Sequence, residues 1–292
     1  MFEAWSYPCP QEGFTLRGWH TVPSGKPVIH FLHGNGFCGR TYEPMLQALA
    51  TDFDLWLCDI QGHGDSDHGG DFVGWNRNAA LALQAFEHHR ALFGDVPCHA
   101  VGHSFGGVLT GLILGSSKHP FERAVLLDPV IFSQAMLMGM SVISMVGVGR
   151  LTPLAKAAMR RRWHWPNRAA AYESLHGRGT YKGWTEEALH AFVNHAIGDQ
   201  DDGSVALKCQ PRREADIFSS APERLWSSIG RIRIPTTIFH GQDTMPFVGP
   251  SARLAASSND WIQEEQVPGG HCFMQENPLD AAQRVRIALT GV

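Results

Sequence analysis

The sequence predicts an α/β fold, a doubly wound and mainly parallel sheet that carries an inserted helical cap. Three observations lead there. Short apolar runs closed by Gly, Asp or Pro alternate with helix-like segments as far as Asp128. The alternation then stops, and residues 130–230 read as helices and turns. It resumes at Pro235.

The elements follow in order. Val28 to Leu32 is apolar throughout, as expected of a strand buried on both faces, and it enters the loop His33-Gly34-Asn35-Gly36. Phe53 to Cys58, Cys98 to Val101 and Ala124 to Leu127 have the same character and end at Asp59, Gly102 and Asp128. Between them Tyr42 to Ala50, Asn76 to Phe93 and Phe105 to Ser116 read as helices. Strand–helix–strand succession implies right-handed crossovers and a sheet covered on both sides. Beyond Asp128, Leu154 to Arg162, Arg168 to Leu175 and Glu186 to Ile197 are helix-like, separated by turn signals and several Trp. Pro235 to His240 and Trp261 to Val267 read as strands, and Leu279 to Leu289 as a closing helix. The expected division is a core of 1–129 plus 231–292 and a cap of 130–230.

Composition bounds the function. The chain has 292 residues, 43% hydrophobic and 18% charged, which suits a large packed core. A net charge of −4 without long runs of like charge gives no reason to expect nucleic acid or an anionic membrane as partner. Arg160, Arg161 and Arg162 read as a solvated helix end. No charge falls between Asp128 and Arg150, but Pro129, Gly139, Gly147 and Gly149 interrupt that stretch. Two short apolar helices over a pocket fit it better than a membrane span. The first residues lack a positive start followed by an apolar run, so a cytoplasmic protein is expected. Six scattered cysteines form no CxxC pair and no zinc spacing, and read as reduced thiols. No cofactor and no metal is implied. Self-association into a homo-oligomer is left open.

The strongest chemical signal is Gly102-His103-Ser104-Phe105-Gly106, lying between an expected strand and an expected helix. A serine there sits on a very sharp turn that only small flanking residues allow. Its hydroxyl projects at the carboxyl edge of the sheet, where open α/β sheets bind ligands. The N–H of Phe105, at the helix N-terminus, is aimed to stabilise negative charge. A serine hydroxyl needs a base. Among 16 histidines His271 stands out, in the glycine-rich loop Val267-Pro268-Gly269-Gly270-His271 after the last strand. The base in turn needs an acid. Asp243, in His240-Gly241-Gln242-Asp243-Thr244, follows a strand and lies between Ser104 and His271 in the chain; Asp128, also at a strand end, is the rival. A second oxyanion donor is expected from Asn35, with Gly36 or Phe37 as alternatives, and His33 is expected to hold that loop. The Gly/His/Asp-rich stretch Asp59 to Ser66 reads as a turn rather than a metal site.

HGNGF, DIQGHGDS, GHSFGG, LLDP, HGQDT and VPGGH stand in an order that resembles the α/β-hydrolase superfamily, in particular its cap-bearing serine hydrolases. Asp202 to Pro211, followed by Glu214, resembles a stretch that precedes the seventh strand in bacterial members. Gln61 departs from the Arg or Pro common in that position. The resemblance implies a carboxylesterase-like enzyme using Ser104, His271 and Asp243 through an acyl-enzyme. It argues against haloalkane dehalogenases and epoxide hydrolases, whose nucleophile is Asp. C–C, lactone, amide or thioester cleavage, a peroxidase-like relative, a non-enzymatic receptor and an interfacial lipase are the other readings. Met136, Met138, Met140 and Met145 are expected to line a site for small to medium acyl chains.

Overall fold

A computed structural model describes residues 2–145 and 152–291. The expected central strands are present. Val28–Leu32 (β3), Asp54–Asp59 (β4) and Cys98–His103 (β5) are buried at every residue, so both faces of the sheet are covered. Phe121–Leu127 (β6), Thr236–Gly241 (β10) and Ile262–Val267 (β11) continue the parallel sheet. Two strands were not foreseen. Phe2–Cys9 (β1) and Phe14–Thr21 (β2) form an antiparallel hairpin on β4, giving the order β1-β2-β4-β3-β5-β6-β10-β11. Their polar alternation and turn residues hide them. Trp5 anchors them, stacking on Trp56 at 4.4 Å and donating its indole N–H to Leu57 O at 3.1 Å.

The helices sort by face. Glu43–Leu49 (α1) and Pro278–Thr290 (α12) pack together on one side of the sheet, and the single turn Phe273–Glu276 (α11) leads into the latter. Trp75–His89 (α2), Ser104–Leu114 (α3) and Val248–Ser258 (α10) bury their apolar residues on the other. Among its described residues, the segment between β6 and β10 adds no strand to this sheet. Its described elements are Gln134–Met145 (α4), Pro153–Arg160 (α5), Arg168–Leu175 (α6), Glu186–His195 (α7), Pro211–Phe218 (α8) and Leu225–Ile229 (α9). A small antiparallel sheet, not expected from sequence, joins His164–Trp165 (β7), Ile197–Asp199 (β8) and Val205–Leu207 (β9). Among the described residues no helix is long and apolar enough to cross a membrane. All six cysteines are buried and unpaired.

Two core histidines make stability pH-dependent. His30, packed among Trp56, Phe86 and Phe121, is fully buried, and burial pushes its pKa down to about 3. Burial likewise pushes His33 down to about 4. Each folded pKa lies below the unfolded value near 6.5. This stabilisation is therefore complete above pH ~6.5 and is lost as pH falls, down to about 4 for His33 and about 3 for His30. Each ring contributes a slope approaching about 1.4 kcal/mol per pH unit in that window. Urea unfolding of wild type and His30→Phe between pH 7 and 4.5 should show the variant losing stability less steeply by about that amount. Parallel curves would contradict it.

Candidate active site

The site starts at the turn from β5 into α3. Ser104 has φ of +54°, the strained left-handed conformation expected of this turn. A Cβ on Gly102 would collide with Gly106 O and Thr110 Oγ1, and one on Gly106 with Leu32 O. Only glycine lets strand and helix approach this closely. The N–H of Gly106 donates to His33 O at 3.1 Å, which ties the turn to the loop after β3. The N–H of Phe105 lies in the first turn of α3, where no intrahelical acceptor exists.

His271 stands over the serine, with Nε2 2.9 Å from Ser104 Oγ. Its Nδ1 lies 2.5 Å from Oδ2 of Asp128, so Nδ1–H donates to the carboxylate and Nε2 accepts from the hydroxyl. The expectation for Asp243 is thus corrected. Asp128 follows β6 with φ of +44° and is fully buried. Its other oxygen accepts the Gly241 N–H at 2.7 Å, and Thr244 donates its hydroxyl to Oδ2. Asp243 is exposed, and its N–H is bound to Gly269 O at 2.9 Å. The reason is geometric. β6 and β10 are parallel neighbours, so their carboxyl ends lie side by side and either could have supplied the acid. Gly241, where a Cβ would collide with Gly270 O, lets the β10 loop press against the His271 loop. The β10 loop therefore offers donors to Asp128 while Asp243 turns outward.

The loop after β3 is held by histidines kept neutral through burial. His33 Nε2 accepts the Ile60 N–H at 3.0 Å and its Nδ1–H donates to Gly34 O at 2.8 Å, the holding role expected of it. His63, its pKa pushed well below the usual range by burial, accepts the Gly36 N–H at 3.1 Å. This bond commits Gly36. The Asn35 side chain donates to Glu214 O at 3.2 Å. Asp59 accepts the N–H groups of Gly39 at 2.7 Å and Asp65 at 3.0 Å, and so organises the Asp59–Ser66 turn. No group of three or more candidate metal ligands converges among the described residues. Gln61 is fully buried and spans the next loop, donating to Gly69 O and Asp71 O, each at 2.9 Å, and accepting the Val73 N–H at 3.1 Å.

The inserted segment reaches this loop with residues that sequence reasoning passed over. Arg161, expected in solvent with Arg160 and Arg162, turns inward instead, 2.7 Å from the Glu214 carboxylate and 2.9 Å from Tyr181 Oη. Arg213, fully buried, donates to the carbonyls of His68 at 2.8 Å and Gly70 at 2.6 Å. Lys208 pairs with Asp65 at 2.7 Å. The methionine expectation changes too. Met138 is 70% exposed, Met136 and Met140 are half-buried, and the Met145 side chain lies outside the described residues. A run of aromatic contacts extends from the first turn of α3. Phe105 meets Trp75 at 4.6 Å, Trp75 meets Phe132 at 5.8 Å, and Phe132 stacks on Phe247 at 6.0 Å. Phe132 lies two residues past Val130, whose N–H points to Ser104 O at 3.4 Å.

Comparison with known proteins agrees with this frame. The profile of the alpha/beta hydrolase family matches residues 31–284. A provisionally named non-heme haloperoxidase of Mycobacterium phage D29 is 27% identical over 95% of this chain and 92% of its own. The abhydrolase domain-containing protein AFT2-1 of Alternaria alternata is 32% identical over 38% of this chain. That match spans only 40% of the fungal protein's length. Among solved structures, E-2-(acetamidomethylene)succinate hydrolase superposes with a TM-score of 0.75 at 17% identity, over 100% of both chains. A thioesterase domain from the curacin biosynthetic pathway gives 0.72 at 16% identity, over 98% of this chain and 99% of that one.

Proposed function

The chain belongs to the alpha/beta hydrolase family, a family of hydrolases, and on that premise we propose that it cleaves carboxylic esters through a covalent acyl-serine. The observation that carries the reading is the unbroken line from Ser104 Oγ through His271 to the buried Asp128 carboxylate. Ser104 attacks the ester carbonyl and passes its proton to His271 Nε2. Asp128 fixes the His271 tautomer and stabilises the imidazolium. The N–H groups of Asn35 and Phe105 receive the oxyanion. His271 then gives its proton to the leaving alcohol, and water attacks the acyl-serine through the same base. The buried, unpaired thiols suit a reducing cytoplasm.

The stacked, half-buried rings of Phe132 and Phe247 support an acyl site of limited length. Each methylene they bury is worth about 0.8 kcal/mol, roughly fourfold in kcat/KM. For p-nitrophenyl esters from two to sixteen carbons, kcat/KM should rise to a maximum at small to medium chains and then fall. Thioester and amide counterparts of the best chain should be slower. A monotonic rise to the longest ester would favour an interfacial lipase, a reading for which the exposed Met138, Leu154, Met159 and Trp163 speak. No turnover of any ester would overturn the proposal.

A further inference from the structure

The residue preceding the nucleophile is wired into both halves of the site. His103 is fully buried and makes no side-chain hydrogen bond to Ser104, the His271 ring or Asp128 among the described residues. Its Nε2 lies 2.9 Å from the backbone carbonyl oxygen of His271. Its Nδ1 lies 2.6 Å from the hydroxyl of Tyr42, also fully buried. That same hydroxyl lies 3.0 Å from the N–H of Gly34, the residue before Asn35.

These bonds allow one arrangement of protons. A carbonyl oxygen can only accept, so Nε2 must carry hydrogen. In a neutral ring Nδ1 then accepts, and Tyr42 must donate to it. The oxygen of Tyr42 is left to accept from Gly34. A second proton on His103 would remove the acceptor that Tyr42 needs. It would also place a charge in a ring centred 4.9 Å from that of His271, which itself becomes charged during the reaction. Burial and the neighbouring His271 hold His103 neutral, well below the usual histidine range.

We propose that His103 is a positioning residue, held in its Nε2–H tautomer by the His271 carbonyl with Tyr42 donating to Nδ1, that ties the loop presenting Asn35 to the backbone of His271. The relay holds the oxyanion donor and the base in a common register about Ser104, and so rests on the hydrolase reading above. It explains two choices that the nucleophile turn does not itself demand: histidine at 103 and tyrosine at 42. Phenylalanine would fill either space but would leave the Gly34 N–H or the His271 carbonyl unbonded.

The test joins ring-nitrogen NMR to kinetics. Long-range 1H–15N spectra of the wild-type protein should show His103 as the neutral Nε2–H tautomer near pH 7, and Tyr42→Phe should keep that tautomer while shifting the Nδ1 resonance, which loses its donor. On a short-chain p-nitrophenyl ester, His103→Phe should lower kcat on the order of 10²-fold with KM little changed, the scale of misplacing a reacting group by about an ångström. His103→Gln can offer both an acceptor and an N–H, and should recover to within about tenfold of wild type. An Nδ1–H tautomer in wild type would overturn the relay. So would wild-type kcat in His103→Phe, or a Gln variant as slow as Phe. Should the wild type hydrolyse no ester, the ester-cleavage reading fails, while the tautomer measurement still decides the relay.

Discussion

Ser104→Ala is expected to lower kcat by about 10⁶-fold while leaving the fold intact, the scale of losing the nucleophile of such a constellation. The change deletes one hydroxyl from a residue that is 7% exposed, and its hydrogen bond to His271 is worth about 1 kcal/mol of stability. The strained φ of +54° belongs to the turn and persists with alanine. Activity and stability should therefore separate. Ester turnover falls to the residue left by the oxyanion donors and binding, while the urea midpoint barely moves. His271→Ala should match Ser104→Ala in rate, because base and nucleophile act as one unit and their losses do not add. A variant retaining more than a few per cent of wild-type turnover would contradict the assignment.

Asp128→Asn is expected to cost about 10⁴-fold in kcat, and Asp243→Asn little. The amide that replaces the Asp128 carboxylate can present N–H towards His271 Nδ1, which then prefers to accept. Nε2 would become protonated and could no longer take the serine proton. The amide oxygen would still accept from Gly241, so folding should survive. Asp243 is exposed and engages the structure through its backbone N–H, which the amide variant keeps. Steady-state kinetics on one soluble ester for the two variants, with far-UV spectra as a check on folding, decides between the two carboxylates. If Asp243→Asn were the slower, the hydrogen bond between His271 and Asp128 would not be the functional one.

The candidate acid shows where the sequence stops being legible. The proposed nucleophile and base are readable because each sits in a local motif whose glycines have one steric purpose. The acid is not, because the choice between Asp128 and Asp243 is made across two adjacent strands. Its signals are a positive φ at Asp128 and the donors from Gly241 and Thr244, none of which shows in a linear pattern. The fully buried strands β3, β4 and β5 are readable from apolar runs alone. The β1–β2 hairpin is not, since one face of each strand is polar and Trp5 supplies the anchoring from afar. Arg161, expected in solvent, is hidden for a similar reason. Its partners Tyr181 and Glu214 come from distant parts of the inserted segment, and only the folded chain assembles them.

Intact-mass analysis after treatment with a fluorophosphonate, followed by peptide mapping, tests the central claim most directly. The account predicts one phosphonyl adduct per chain, on Ser104. The rate of its formation should fall sharply in Asp128→Asn and remain near wild type in Asp243→Asn. An adduct on another residue, or a wild-type protein that stays unmodified at saturating probe, would contradict it.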